Sequence, residues 1–330
     1  MINTPRFTDL LMRTDDTGRS VSPHAFFKRL MSNLCWQWTR KNRTIFAVDI
    51  CSAGGFGANL EWCLEIMMHC ERFQMTPYIR LTGKNYTSEH YGDDYFTYFF
   101  ENPQLSKVDE RRIRNGDVPT TRICHIDDLG LPHNYDVLLT LDDAPKLIKK
   151  YLRVKDEITD EVRAFRKAHF GQNVLGIHYR GTDKAEAPRT DYAKVKRNIQ
   201  HYLEKSPTTD CVFVSSDEVD LIEYIRSFTG NQFPTVRVIC RKDKYRSSYK
   251  GVKIHDSVPG NNYDKGRDAI VNILLLSTCD VLIKTASIFS GWSRLFNPEL
   301  PVIMLSAPYE HSRWFPEREI LKQVLYEAVD

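Results

Sequence analysis

From residue 173 onward, short runs of apolar, β-branched residues alternate with stretches in which apolar positions recur every three or four residues. VLGIHY (174–179), CVFVSS (211–216), TVRVIC (235–240), DVLIKTA (280–286) and PVIMLS (301–306) have the length and composition of strands. Between them, DYAKVKRNIQHYLEK, DEVDLIEYIRSF, GRDAIVNILLLSTC and SIFSGWSRLF follow the helical period. Continuously apolar strands separated by helices belong to a parallel sheet covered on both faces. This half of the chain is therefore expected to be a doubly wound α/β domain.

The first half opens the same way: the strand TIFAVDI (44–50), the turn SAGGFG, the helix NLEWCLEIMMHCERFQ and the strand PYIRL. Beyond it, YGDDYFTYFFENP is aromatic and without a period. KDEITDEVRAFRKAHF (155–170) reads as an amphipathic connector and PEREILKQVLYEA as a terminal helix. The 330 residues exceed the roughly 250–300 at which single cores stop growing. The expected organisation is an N-terminal lobe (1–154), a connector (155–172), a second lobe (173–315) and a terminal helix (316–330) packing back on the first lobe. Two such lobes would face a central cleft lined by the carboxyl ends of their strands, the usual ligand position in open parallel sheets.

Composition narrows the class. The longest apolar run, ILLL, is far short of the roughly 20 residues of a membrane span, and MINTPRFTDLLMR lacks a secretory pattern, so a cytoplasmic protein is expected. The eight cysteines form no CxxC pair and no metal spacing with histidine, and read as reduced core thiols. A net charge of +3 argues against a nucleic-acid partner. The basic runs KLIKKYLRVK (146–155) and RKDKYRSSYKGVK (241–253) read first as solvated faces, and second as peripheral contacts to the inner face of a membrane or to a charged acceptor.

Chemistry concentrates after three strands. In GIHYRGTDK, His178 and Arg180 project from one face at the end of a strand, with Asp183 and Lys184 on the loop beyond. The guanidinium fork suits a phosphate, and Asp183 can orient it or merely staple a turn. In DVLIKTASIFSGW, a buried strand brings Thr285 and Ser287 to the start of a helix, with Ser290 one turn on. Free N–H groups at such a start favour an anion, although Ser287 could equally cap the helix. The third is SAGGFGANLEW, a glycine turn with Gly54, Gly55 and Gly57 around Phe56, where a phosphate could approach the backbone. Its dinucleotide fingerprint is incomplete, with Leu60 at the third glycine position and Arg80 where a ribose-binding acid would end the second strand.

HYRGTDK, followed by VFVSSDE and then GRDAIVNILLLSTCDVLIKTASIFSGW, resembles the three motifs of the α1,6-fucosyltransferase and O-fucosyltransferase superfamily. GGFGANLEW resembles the glycine loop of the rhizobial nodulation fucosyltransferases. The resemblance covers roughly 176–296 plus that loop. It implies an α/β, GT-B-like protein of two Rossmann-type lobes. The implied activity is inverting, metal-independent transfer of fucose from GDP-fucose to a glycan or glycolipid-precursor hydroxyl, with no cofactor.

By position, the resemblance implies that Arg180 binds the β-phosphate with Asp183 holding it, that His178 lies near the nucleotide, and that Ser287 or Ser290 contacts the diphosphate. It further implies that Gly55, Phe56 and Gly57 close on the donor from the other lobe, while Asp217 matches the acid of the second motif. Where core-fucosylating relatives read guanine with an Asp, this chain has Asn272. Asp268, one turn earlier, is the candidate to supply the missing acceptor. Glu186 and Asp191 compete for the role of general base, against a reading of either as a loop carboxylate. The chain has no Asp-x-Asp pair of the kind that holds a metal on a leaving diphosphate. Two other classes stay open: an NADP-dependent reductase built on residues 44–80 with Arg80 at the 2′-phosphate, and a non-catalytic protein that binds nucleotide sugar or carbohydrate.

Overall fold

The computed structural model describes residues 45–181, 186–242, 261–323 and 328–329. The chain divides into two compact units, Met1–Val154 and Lys155–Asp330.

In the first unit, β1 (Ile45–Ile50) is buried along its whole length and leads through the glycine turn into α1 (Phe56–Phe73). Leu60, Cys63, Leu64, Met67 and Cys70 make the buried stripe of α1, which stops at Gln74 in the left-handed conformation with φ 56°. β2 (Thr76–Leu81) alternates buried and half-buried positions, as a strand at a sheet edge does, and Pro77 is tolerated there because an edge strand needs fewer donors. The parallel sheet has the order β2-β1-β4, with β4 at Thr120–Ile123. A short antiparallel ribbon pairs β3 (Phe100–Glu101) with β5 (Arg153–Val154), and the helices α2 (Lys107–Arg114) and α3 (Ala144–Tyr151) also belong to the unit.

The aromatic segment that shows no period in sequence is a packed cluster. The Phe56 ring lies 5.4 Å from Tyr86, 5.8 Å from Phe99 and 6.4 Å from Phe100, centroid to centroid. Of the basic run 146–155, Lys150 is paired with Glu71 at 2.6 Å and Lys146 with Asp143 at 3.4 Å, so part of its charge is balanced within the unit.

The second unit begins with α4 (Asp156–His169), the expected connector, which packs on α7 (Asn262–Ser277) of the same unit. Five parallel strands follow in the order β10-β9-β6-β7-β8: β6 Val174–Tyr179, β7 Cys211–Ser216, β8 Arg237–Ile239, β9 Val281–Lys284 and β10 Val302–Met304. Leu175, Ile177, Val212, Val214 and Ile283 share one face and bury the apolar stripes of α5 (Tyr192–Lys205) and α6 (Val219–Gln232). On the other face Phe213 meets Phe165 of α4 and Phe170. Gly176 lies so close to the end of α7 that a Cβ there would stand 3.4 Å from Leu276 Cδ2 and 2.9 Å from the Sγ of Cys279, just beyond the helix. α8 (Ile288–Phe296) packs on α7, and α9 (Glu317–Lys322) packs on α8 within this unit.

Cysteine usage departs from the expected core thiols. Cys63, Cys70, Cys211 and Cys279 are buried, whereas Cys51 is half-buried and Cys124 exposed, because both of these follow the last residue of a strand. Among the described residues no helix is long and apolar enough to cross a membrane.

Candidate functional site

The order β10-β9-β6-β7-β8 reverses between β6 and β9: the chain steps outward from β6 to β7 and β8, then returns to the other side of β6 for β9 and β10. Helices leave two adjacent strands in opposite directions at such a point, opening a crevice at their carboxyl ends. The segments carried there are His178–Gly181 at the end of β6 and Thr285–Ser290 after β9, the two strongest candidates in the sequence.

Thr285 joins them. Its hydroxyl accepts from the Arg180 backbone N–H at 2.9 Å, and its own N–H donates to His178 O at 3.0 Å. His178 is buried, with its ring stacked on Phe289 of α8 at 5.2 Å and 23°. Gly181 N–H donates to Asp217 Oδ1 at 3.1 Å, so the acid of the second motif fixes the backbone just after Arg180. A side chain at Gly181 would collide with Glu218 and with the Tyr179 ring, which makes glycine obligatory there. Glu218, almost fully buried, accepts two bonds from Arg189, at 2.8 and 2.9 Å, and one from Tyr192 Oη at 2.5 Å. Arg189 also donates to Gly181 O. Burial, and then the bond to Glu218, push the Tyr192 phenol well above its ordinary range.

The start of α8 differs from expectation. Ser287 makes no side-chain cap, and its backbone N–H donates to Glu317 Oε2 at 3.0 Å. Glu317 also pairs through Oε1 with Lys284, which is fully buried at the end of β9 and donates to Ser287 O at 3.2 Å. The protein thus supplies its own carboxylate to one N–H of this helix start. Ser290 is buried and donates to Ser287 O at 3.3 Å, so its hydroxyl closes the first turn.

Asp268 and Asn272 do lie one turn apart on α7: Asn272 Nδ2 donates to Asp268 O at 2.8 Å. The Asp268 carboxylate is 3.1 Å from Arg241, which also bonds Glu161 at 2.8 Å. Asp191 is the N-cap of α5, accepting from Lys194 N–H at 2.6 Å, which engages it as a helix cap. Glu186 is held through its backbone carbonyl by Tyr309 N–H at 2.8 Å. Asp183 and Lys184 lie outside the described residues, as do most of the basic run 241–253 and part of the terminal helix.

In the first unit the glycine turn is tied by its own neighbours. Gly54 N–H donates to Ser52 Oγ at 2.9 Å, Phe56 N–H to Tyr86 Oη at 3.0 Å, and Asn85 holds Ala53 O at 2.7 Å. Phe56, expected at the donor, has its ring in the aromatic core, because the first residue of α1 points inward. Gly57 is likewise buried, while a Cβ at Gly55 would meet nothing within 4 Å. Arg80 is held by Asp93 at 2.6 Å with Asp49 at 3.7 Å, so the cation that a 2′-phosphate would need already has two carboxylates beside it.

No family model and no curated protein matches the chain. Solved structures do. POFUT1 in complex with GDP superposes with a TM-score of 0.51 at 11% identity, over 80% of this chain and 99% of that one. The fold is shared with POFUT1. Arabidopsis thaliana FUT1, as a variant in complex with GDP, gives a TM-score of 0.49 at 12% identity over 90% of this chain and 82% of its own. NodZ alpha-1,6-fucosyltransferase soaked with GDP-fucose gives 0.47 at 16% identity over 77% and 93%.

The likeness to POFUT1 covers nearly all of that chain, and it bears out the expected α/β, GT-B-like class at the level of fold. Sequence reading missed four residues of the β6–β9 site: Arg189, Glu218, Lys284 and Glu317. Lys284 carried a signal, since a lysine inside an apolar strand run has to find a buried partner.

Proposed function

We propose that this chain is a glycosyltransferase that moves fucose from GDP-fucose to a hydroxyl of a glycan or glycolipid-precursor acceptor, with inversion and without a metal ion. The observation that carries this reading is the switch point itself, where Thr285 ties the Arg180 backbone of β6 to the segment that opens α8. POFUT1, whose fold is shared, is solved with GDP, which supports a guanine nucleotide as the ligand of such a site.

In this reading the acceptor oxygen attacks the anomeric carbon as the bond to the β-phosphate oxygen breaks, and a carboxylate takes the acceptor proton. Arg180 meets the charge that builds on the leaving diphosphate, and the positive end of α8 adds to it. The hold of Asp217 and Arg189 on Gly181, with Arg189 fixed in turn by Glu218, keeps that guanidinium from having to reorganise during the reaction. Glu186 is assigned as the base, since Asp191 is already committed to its helix. Asp268 with Asn272 is assigned to the guanine edge, Arg241 fixing the carboxylate.

Transfer of radiolabelled fucose from GDP-fucose to a panel of oligosaccharides, in buffer containing a strong chelator, tests the proposal. Transfer undiminished by chelator, with an inverted anomeric product, is the expected outcome. Strict dependence on Mn²⁺ or Mg²⁺, or a retained configuration, would contradict it.

A further inference from the structure

The first unit also has a switch point, because the order β2-β1-β4 places β1 between strands reached in opposite directions. Ile50 pairs with Ile123 there, so the next residues, Cys51 and Cys124, leave the sheet side by side. Their sulfurs are 2.7 Å apart, within a short movement of the roughly 2.0 Å of a disulfide.

We propose that Cys51 and Cys124 form a modifiable dithiol site, closed to an intrachain disulfide by a small disulfide oxidant such as oxidised glutathione. Both backbones are already held for it. Cys51 N–H donates to Ile123 O at 2.8 Å, and Asp128 accepts from the N–H groups of Cys124 and His125 at 3.1 and 2.9 Å. Cys124 is exposed, so it is the sulfur that an oxidant meets first. The bond to Cys51 raises the Cys124 thiol above its ordinary range and the nearby Arg122 charge offsets only part of this, so the exchange runs on a minor thiolate fraction and speeds up as pH rises.

The chemistry balances without another reactant. The Cys124 thiolate attacks one sulfur of oxidised glutathione, breaking that bond and releasing one glutathione thiol. The Cys51 thiolate then attacks Cys124 Sγ in the mixed disulfide and expels the second glutathione. Two protein thiols are oxidised and one glutathione disulfide is reduced to two thiols. Cys51 leads into the Ser52–Gly57 turn, so closure ties the residue before that turn to the residue that follows β4.

The test uses the full chain, treated with oxidised glutathione, alkylated and mapped by peptide mass. The expected product is a linked peptide pair holding Cys51 and Cys124, abolished by dithiothreitol, in a protein that melts at a higher temperature than the reduced form. Cys51→Ser should instead stop with glutathione on Cys124. Recovery of both cysteines alkylated in the oxidant-treated wild type, or a linked pair involving other cysteines, would overturn the proposal. If Cys51→Ser does not fold, the wild-type map alone decides. The mapping needs no transfer assay, so it stands or fails separately from the donor reading.

Discussion

In the proposed function Arg180 is the residue on which the chemistry turns, and the alternative is that it only braces the loop after β6. Lysine at this position keeps the charge and loses the planar fork. If the fork meets the diphosphate, Arg180→Lys should lower turnover by roughly 10²–10³ while the melting temperature stays within a degree or two of wild type. A bracing role reverses the pattern, with a lower melting temperature and near-normal turnover per folded molecule. Kinetics and thermal melts on one preparation separate the two. Arg180 and His178 were legible in the sequence because strand alternation and position at a strand end are local properties. The clamp behind them was not: Arg189 and Glu218 sit 29 residues apart, and only the pairing of β6 with β7 brings them together.

A second residue-scale consequence lies in the first unit. Burial, and then the nearby Asp136 charge, lift Glu65 to about 8, while burial drives His69, bonded to Tyr135 Oη at 2.9 Å, down to about 3. The folded chain keeps a proton on Glu65 that the unfolded chain releases above roughly pH 4.3, so Glu65's contribution is full below that value and is lost as pH rises to about 8. His69 acts in the opposite sense, losing stability as pH falls from roughly 6.5 towards 3. Between about pH 6.5 and 8 only Glu65 of this pair contributes. Stability in urea should fall there by about 1.4 kcal/mol per pH unit, and Glu65→Gln, which keeps the acceptor for Asp136 N–H, should flatten the decline. An unchanged slope in the variant would mean that Glu65 titrates normally.

At the scale of elements, the start of α8 is set by a partner from α9. Lys284 and Glu317 are both buried, and removing one leaves the other as an uncompensated charge. Lys284→Met should therefore cost about 3–5 kcal/mol, and the double variant Lys284→Met, Glu317→Leu should recover most of it. Chemical denaturation of the four proteins in the cycle reads this directly, and equal losses in single and double variants would show that the pair is not coupled. The lysine was visible as an oddity in VLIK, but its partner 33 residues on follows no periodicity. β4 escaped notice for a related reason: TTRI at a sheet edge has three exposed residues and no alternation, so nothing in it marks a strand until β1 pairs with it. The five strands of the second unit were legible because a sheet buried on both faces writes itself as unbroken apolar runs.

For the whole molecule, each unit is a parallel sheet with a reversal of strand order, and each reversal carries the loops with chemistry. That much follows from strand–helix alternation, since few topologies satisfy it. What alternation leaves open is the ligand, because open sheets of this kind bind many nucleotides and cofactors at the same place. In the proposed function the side chains at the β6–β9 crevice and on α7 make the choice, and the guanine recognition proposed for Asp268 with Asn272 is its most specific element. Calorimetric titration of the full chain with GDP, UDP, ADP and CDP, in the presence of chelator, tests this most directly. The account predicts that GDP binds at least tenfold more tightly than the other three, and that Asp268→Asn removes most of that preference. No binding of GDP, equal binding of all four nucleotides, or a preference that survives Asp268→Asn intact would contradict it.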